Sequence, residues 1–476
     1  ATQPMSSVEH GRGLAPDVAS LVQRQYARLG KTGKPQVGEW TVLAGFVVTH
    51  PTDEPQVVAL GTGTKCLTAA QVAADVGGSC LHDTHAEVCA RRSLRLYLMR
   101  EIERAANGDA SSTIQLAADG RGYELRPGVE LHLYSSAPPC GDAAVTGATS
   151  PVAEASPALS CASSCPACAV DGGDGGDEGA NKRQRLVPVV AEGQRTNGVS
   201  ATAEAAAPAA DVVTAPSATP SGAIAVSERG ALTGGRPVSA AAAAMEAASQ
   251  GRVCMAGLAR TKPGRGERTC CMSCSDKIAR WHAIGVQGAL LSLLVPIPLR
   301  LASVTVGGHC SLGALERAIC TRAAVGAPRL LAADDAPFKH AQPPTPTGQD
   351  VPSADTRPCS NALLWHAGGE CEAVNGLSGR KLGANKKSPS PKHRAAVCKA
   401  LLLKRFREIC LCVPAMAVAT DVSDLSYASI KRLASDYQQR KAAFMQLGAF
   451  REWIVAPAEC EGFKGEDYDR PMRIES

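Results

Sequence analysis

From Val145 to roughly Gln250 the chain is built mainly of Ala, Gly, Ser, Pro and Thr, with almost no aromatics and no aliphatic periodicity. It includes the run Asp171-Gly172-Gly173-Asp174-Gly175-Gly176-Asp177 and five alanines at 240–244. Such a segment buries too little apolar surface to offset its ordering entropy, so it reads as a disordered insertion. Residue types that hold metals nevertheless lie on both sides of it: His85 and Cys140 before, Cys274 after. A fold that uses them together must close across the insertion. One domain, 14–470, interrupted at about 145–250, therefore fits better than two independent domains. A second, shorter insertion is expected at about 324–358, around Pro343-Pro344-Thr345-Pro346.

The remaining segments alternate between strand-like and helix-like patterns. Trp40 to Val48 reads as a buried strand and Val57 to Leu60 as its partner. Glu87 to Arg104 reads as a helix with Ala90, Leu94, Tyr97, Leu98 and Ile102 on one face and arginines on the other. Leu131 to Ser135 is a short strand stopped by Pro138-Pro139, and Ser275 to Ile284 is helical. Leu301 to Val306 and Glu370 to Val374 read as strands, and Arg394 to Glu408 and Leu425 to Leu447 as basic amphipathic helices. The alternation predicts an α/β layered domain.

The 476 residues are 45% hydrophobic, enough for one large core or two ordinary domains. The longest apolar stretch, Gly288 to Val306, is broken by two prolines and Arg300, too soon for a membrane span. Ala1 to Gly13 lacks the apolar core of a signal peptide, so a soluble intracellular protein without membrane contact is expected, in nucleus or cytoplasm and as a monomer. In that setting the 19 cysteines are free thiols or metal ligands, not a disulfide framework. Net charge of +5 permits nucleic-acid binding without demanding it. Aromatics at 4% leave little for broad base-stacking platforms.

His85-Ala86-Glu87, Cys140 after Pro138-Pro139, and Cys274 in Ser273-Cys274-Ser275-Asp276-Lys277 together form the parts of a zinc hydrolytic deaminase. One His and two Cys leave a fourth tetrahedral position open for water. The metal lowers the pKa of that water, and Glu87 moves its protons. All three ligands are predicted at strand-to-helix transitions, where exposed N–H groups stabilise thiolates. His-x-Glu alone is a weak signal and Pro-Cys alone is usually a buried thiol, so the combination carries the reading. The common signature Pro-Cys-x-x-Cys is absent here, since Gly141-Asp142-Ala143 follows Cys140, which disfavours a cytidine deaminase. Cys161, Cys165 and Cys168 have zinc-like spacing but no element to orient them. Cys270 and Cys271 are expected to flank the site.

Several runs resemble the adenosine deaminase domain of RNA-editing enzymes. They are Leu81-His82-Asp83-Thr84-His85-Ala86-Glu87-Val88, Arg91-Arg92-Ser93-Leu94, Leu131-His132-Leu133-Tyr134, Pro139-Cys140-Gly141-Asp142 and Met272 through Trp281. Ser273-Cys274-Ser275-Asp276-Lys277-Ile278-Ala279-Arg280-Trp281 is the most specific of these. The resemblance covers nearly the whole chain outside the insertions. Gly33 to Ala44 and Thr261 to Thr269 are similar to the tRNA-acting branch, and no double-stranded-RNA-binding module is read ahead of the domain. The resemblance implies a cytidine-deaminase-like three-layer α/β/α sandwich with a C-terminal helical extension. It implies zinc on His85, Cys140 and Cys274, proton transfer by Glu87, and conversion of the adenosine immediately 3′ of the tRNA-Ala anticodon to inosine. The alternatives are editing of duplex RNA and a catalytically silent RNA-binding relative. The four ligand and acid–base residues argue against the latter.

On sequence alone, Tyr427, Lys431, Tyr437 and Lys441, with Lys399 and Trp453, would be an ordinary solvated face. The resemblance reverses this, because domains of the family enclose inositol hexakisphosphate. The matching positions are Lys65, Asp83, Arg91, Arg92, Lys277, Arg280, Trp281, Lys399, Tyr427, Lys431, Tyr437, Lys441 and Trp453. Asp83 and Lys277 are expected to link that ligand to zinc. His82, Ala289, Val455 and Ala456 depart from the family pattern, so a thinner ligand shell is expected. Arg260, Lys262, Arg265 and Arg268 are the candidate RNA contacts at the active-site mouth. Lys182-Arg183-Gln184-Arg185 reads equally as a nuclear address and as a solvated run.

Overall fold

The computed structural model describes residues 11–146, 224–227, 235–249, 253–263, 267, 269–342, 356–384, 390–413 and 421–464. The chain divides into one unit of Ala1–Val152 with Pro220–Ser476 and another of Ala153–Thr219, and every described residue belongs to the first. Arg265, Arg268, Cys161, Cys165, Cys168 and the basic run at 182–185 lie outside the described residues.

The centre is an eight-stranded mixed sheet. Its strands in chain order are β1 (Leu43–His50), β2 (Asp53–Thr62), β3 (Glu130–Ser135), β4 (Ser303–Val306), β5 (Arg329–Ala332), β6 (Asn361–His366), β7 (Glu372–Asn375) and β8 (Arg380–Lys381). In space they run β5-β4-β3-β1-β2-β6-β7-β8. The three strands β5, β4 and β3 are mutually parallel; every later pairing is antiparallel. The principal helices are α1 (Gly11–Arg28), α2 (Ala86–Ala106), α3 (Cys274–Ile284), α4 (Leu312–Ile319), α5 (Lys399–Cys412), α6 (Tyr427–Leu433) and α7 (Ser435–Gln446).

Strand β1 shows how the layers arise. Leu43 and Val47 join Val18, Val22 and Tyr26 of α1 on one face, while Ala44, Phe46 and Val48 join α2, α3 and α5 on the other. A strand covered on both sides reads as a continuous apolar run, which is what the sequence has. The ladder between β1 and β2 shifts register at Phe46/Val47, so Val58 and Ala59 both turn to the α2 face, as a bulge requires. Strand β2 also carries Gly61, where a Cβ would sit 2.4 Å from Cys89 Cβ. Only glycine lets α2 approach the sheet that closely. Along α2, Ala90, Leu94, Tyr97, Leu98 and Ile102 are all buried, the stripe the sequence predicts.

Two expected insertions are shorter than the composition suggests. The alanine run forms the helix Ala240–Ala248 behind the N-cap Ser239, as alanine's helix propensity favours, and Ala242 is buried. Arg329–Ala332, inside the second expected insertion, is edge strand β5, and Phe338 packs edge-on against Tyr26 at 5.3 Å between ring centroids. Leu330 and Leu331 offered too short a run to be recognised without their partner β4. The predicted C-terminal helix is two helices, α6 and α7, broken at Ala434. Strand β6 and helix α1 have no counterpart in the sequence reading. No described helix is long and apolar enough to cross a membrane.

Candidate active site

His85 is the N-cap of α2, at the end of the short strand Asp83–His85, which pairs antiparallel with Thr64–Cys66. Its extended backbone aims the imidazole away from the helix axis, while Glu87, in the first turn, points into the interior at 3% exposure. Cys274 is the first residue of α3, capped by Ser273, whose Oγ accepts from Asp276 N. Cys140 lies on the loop after β3 and is followed by one 3-10 turn, Asp142–Ala144, not by the full helix the sequence reading implied. It reaches a helix end all the same, because the Cys274 N–H donates to Cys140 Sγ at 3.3 Å. Gly141 makes this possible. Its φ is +104°, and a Cβ there would lie 2.2 Å from Ser273 Oγ.

The ligand atoms of His85, Cys140 and Cys274 all lie within 4.8 Å of one another. His85 Nδ1 is 3.8 Å from Cys140 Sγ and 3.6 Å from Cys274 Sγ. A tetrahedral ion with bonds of ~2.0–2.1 Å to nitrogen and ~2.3 Å to sulfur spans an N···S edge of about 3.6 Å. The donor set therefore fits a zinc-like dication. Hydrogen bonding to Cys274, then the charges of Lys262 and His85, hold the Cys140 thiol well below its ordinary pKa against burial. Burial first, then the hydrogen bond with Cys140 and its charge, push Cys274 up, and a dication between the two sulfurs would offset that cost. Glu87 Oε2 is 3.1 Å from Cys274 Sγ, and burial first, then the Cys140 charge, raise its pKa.

Lys262 was expected at an RNA-facing mouth. It is 2% exposed, with Nζ 2.7 Å from Asp83 Oδ2 and 3.1 Å from Cys274 Sγ. Burial alone would lower its pKa, but Asp83, Cys274, Cys140 and Glu87 raise it well above the ordinary value. Arg260 is also interior, at 1% exposure, bonded to Glu246 and to the carbonyls of Met255 and Gly235. These two readings are corrected by register. Arg236–Pro237 pairs with Arg260–Thr261, and Thr261 bridges Met272, which turns the loop inward. Cys271 turns to the His82 carbonyl at 3.5 Å and stands outside the cluster.

Behind α2 lies a cavity of about 270 Å³. Eight cations line it: Arg91, Arg92, Arg95, Lys277, Arg280, Lys399, Lys431 and Lys441. Two carboxylates, Asp83 and Glu461, accompany them. Lys277 pairs with Asp83, and Lys399 and Lys431 pair with Glu461. The other five have no carboxylate at ion-pair distance among the described residues. Burial lowers the pKa of Arg91 (to about 9), Arg280 and Lys441. Arg95 Nε, Arg280 Nε and Trp281 Nε1 are buried with no hydrogen-bond acceptor. Uncompensated buried cations and orphan donors are costly unless an anion completes them. The cavity thus suits a polyanion.

Of the residues expected here, Trp281 and Trp453 also line the cavity, each ring beneath a guanidinium, Arg91 and Arg280 respectively. Tyr427 is packed behind the wall, stacked on Phe463, and Tyr437 is buried in the cluster beside α3. Lys65 sits in register with Thr84 and does not line the cavity. Arg95 and Glu461 were missed. Arg95 follows Arg91 by one helical turn, which was the available signal. Val455 and Ala456 do line the cavity. Asp83 touches both interiors, accepting from Lys262 on the metal side and Lys277 on the cavity side.

The sequence profile of the adenosine-deaminase (editase) domain matches residues 59–457. A Drosophila melanogaster protein, tRNA-specific adenosine deaminase 1, is 31% identical over 94% of this chain and 96% of its own length. The Homo sapiens protein of the same name is 29% identical over 94% of this chain and 99% of its own length. A Mus musculus double-stranded RNA-specific adenosine deaminase is 25% identical over 94% of this chain and 32% of its own length.

Proposed function

The chain belongs to the adenosine-deaminase (editase) domain family and is an adenosine-deaminating enzyme, and from this premise we propose that it converts adenosine to inosine in tRNA with zinc as its metal. The observation that carries the reading is the meeting of His85 Nδ1, Cys140 Sγ and Cys274 Sγ within 4.8 Å, next to a buried Glu87. When held by those three ligands, zinc supplies the Lewis acidity that makes water nucleophilic near neutral pH. Glu87 takes a proton from the water that attacks C6 of adenine and delivers a proton to the exocyclic amine, which leaves as ammonia. Its raised pKa suits both halves of that transfer. Lys262 balances the two thiolates and stays charged throughout.

The higher identity to the tRNA-specific relatives than to the duplex-specific one supports tRNA as substrate. We assign the adenosine immediately 3′ of the tRNA-Ala anticodon as the target. The fold assignment is the cytidine-deaminase-like sandwich, supported by the helices on both faces of the mixed sheet. We assign inositol hexakisphosphate to the polybasic cavity, supported by its eight cations and its orphan donors. Arg91, Arg92, Arg95, Lys277, Arg280, Lys399, Lys431 and Lys441 would hold it, and it would supply the missing countercharge.

Incubation of the purified protein with a tRNA-Ala transcript and, separately, a hairpin duplex tests the substrate. Sequencing should show A-to-G changes in the tRNA at the position after the anticodon. Editing of the duplex but not the tRNA would overturn the assignment. Mass spectrometry of denatured protein should release inositol hexakisphosphate; a folded, active protein free of it would overturn the cavity assignment.

A further inference from the structure

Each proposed cysteine ligand is followed two residues later by a fully buried aspartate: Asp142 after Cys140 and Asp276 after Cys274. One guanidinium joins them. Arg322 Nη2 donates to Asp276 Oδ1 at 2.8 Å, and Arg322 Nε forms an ion pair with Asp142 Oδ2 at 3.3 Å. Its Nη1 donates to the Leu258 carbonyl at 2.8 Å. The same carboxylates hold the strand that leads to Lys262. Asp142 Oδ1 accepts from Gly257 N at 2.6 Å, and Asp276 Oδ2 accepts from Arg260 N at 2.9 Å. The Cys140 loop, the Cys274 helix and the Lys262 strand thus converge on one side chain that is 4% exposed.

We propose that Arg322 is a positioning residue that sets the separation of the two cysteine sulfurs for the metal. The inference rests on the assignment of His85, Cys140 and Cys274 as metal ligands. Cys140 and Cys274 come from elements far apart in sequence and meet through two bonds, Cys274 N–H to Cys140 Sγ at 3.3 Å and Ser275 N–H to the Cys140 carbonyl at 3.0 Å, and Arg322 braces that junction from the two aspartates behind it. The planar guanidinium is fixed by donating to Asp276 and to the Ala318 and Leu258 carbonyls, and so holds its charge against Asp142 at a set distance, which a flexible ammonium does not. Of the two aspartates Arg317 reaches only Asp142, donating from Nε to its Oδ2 at 3.2 Å and from Nη2 to the Asp142 and Val145 carbonyls, so it supports the Cys140 loop alone. Outer partners that orient ligands are worth roughly 10–100-fold in metal affinity.

The test is zinc affinity by competition with a chromophoric chelator, together with the thiolate-to-metal absorption of the cobalt(II)-substituted protein. Arg322→Lys keeps the buried charge, and it should bind zinc about tenfold more weakly, with a weakened and shifted cobalt band. Arg322→Met should approach about 100-fold, and Arg317→Met should fall between wild type and Arg322→Met. If Arg322→Met does not fold, Arg322→Lys decides. Wild-type zinc affinity with an unchanged cobalt spectrum in folded Arg322→Lys would overturn the inference while leaving the metal site intact. A wild-type protein that binds neither zinc nor cobalt would instead sink the ligand assignment on which it rests.

Discussion

Helix α2 separates two polar interiors that solve the problem of buried charge in opposite ways. On the metal side, two thiols, one imidazole and Glu87 surround a single ammonium, Lys262, and Asp83 anchors that ammonium from behind. Its charges nearly close among themselves, and one dication completes them. On the other side, eight cations meet two carboxylates, and five of the cations have no acidic partner among the described residues. That interior closes only with an anion from outside the chain. A site whose charges nearly close needs few residues and can be carried by a short motif. A site that does not close must recruit cations from many elements, here from Arg91 to Lys441. Among the described residues Asp83 is the only side chain bonded to a lysine of each, so it is where the two can be uncoupled.

The largest expected effect lies on the metal side. Glu87→Gln keeps the shape but removes the proton carrier, and deamination should fall by about 10²–10⁴-fold. Zinc content and bound polyphosphate should stay as in wild type, because Glu87 belongs to neither ligand set. Single-turnover assays alongside metal and phosphate analysis check this. Loss of polyphosphate in Glu87→Gln would show the two interiors to be less separate than their geometry. Next comes Lys262→Met. Removing one member of a buried charged cluster costs about 3–5 kcal/mol, because its partners remain. Chemical denaturation should register that loss. Polyphosphate should persist, since Lys277 still holds Asp83 on the cavity side.

The same contrast explains what the sequence revealed. His85, Glu87, Cys140 and Cys274 were legible because their residue types are rare in combination and sit at element boundaries. The burial stripe of α2 was legible because it follows a period of 3.6, and strand β1 because, covered on both faces, it reads as a continuous apolar run. Lys262 was not. A lysine among Pro263 and glycines reads as exposed, and only the pairing of Thr261 with Met272 turns it inward. Arg260 was hidden the same way, since its partner Glu246 lies in an alanine-rich helix that composition labelled as insertion. Arg95 was counted with the polar face of α2, because periodicity cannot tell a solvated face from one that lines a charged cavity. Arg322 gave no signal, as its bonds to Asp142 and Asp276 span 180 and 46 residues of sequence.

A smaller effect is expected at Glu461, one of the cavity's two carboxylates. Burial would raise its pKa, but Lys431 and Lys399 hold it down at about 2, from an ordinary 4.5. A folded pKa below the unfolded one stabilises the protein above the unfolded value, and that stability is lost as pH falls from about 4.5 to about 2. Partial exposure and screening leave on the order of 2 kcal/mol. Glu461→Gln should lose that amount without polyphosphate. With inositol hexakisphosphate added, Lys399 and Lys431 gain another anion, and the cost should shrink towards zero. Equal costs with and without the polyanion would mean that the cavity does not take it.

The smallest effect tests the departure at position 82. His82 lines the cavity, and its Nε2 meets Asp75 Oδ2 at 2.8 Å. Asp75 is fully buried but keeps three other donors: Ser79 N, Ser79 Oγ and Cys80 N. His82→Asn is too short to reach Asp75 in the same way, so one of four hydrogen bonds is lost, at about 1 kcal/mol. Burial lowers the His82 pKa below 6.5, with Lys399 and Arg92 adding to it against the pull of Asp75. The unfolded chain therefore takes up this proton first, and the wild type loses stability as pH falls below 6.5. His82→Asn should remove that slope, so the two proteins should converge in stability towards pH 5. A bound polyanion would pull the His82 pKa back up and flatten the wild-type slope. Stability measured against pH with and without inositol hexakisphosphate separates the cases. A slope unchanged by either the substitution or the ligand would show that His82 does not sense the cavity's charge.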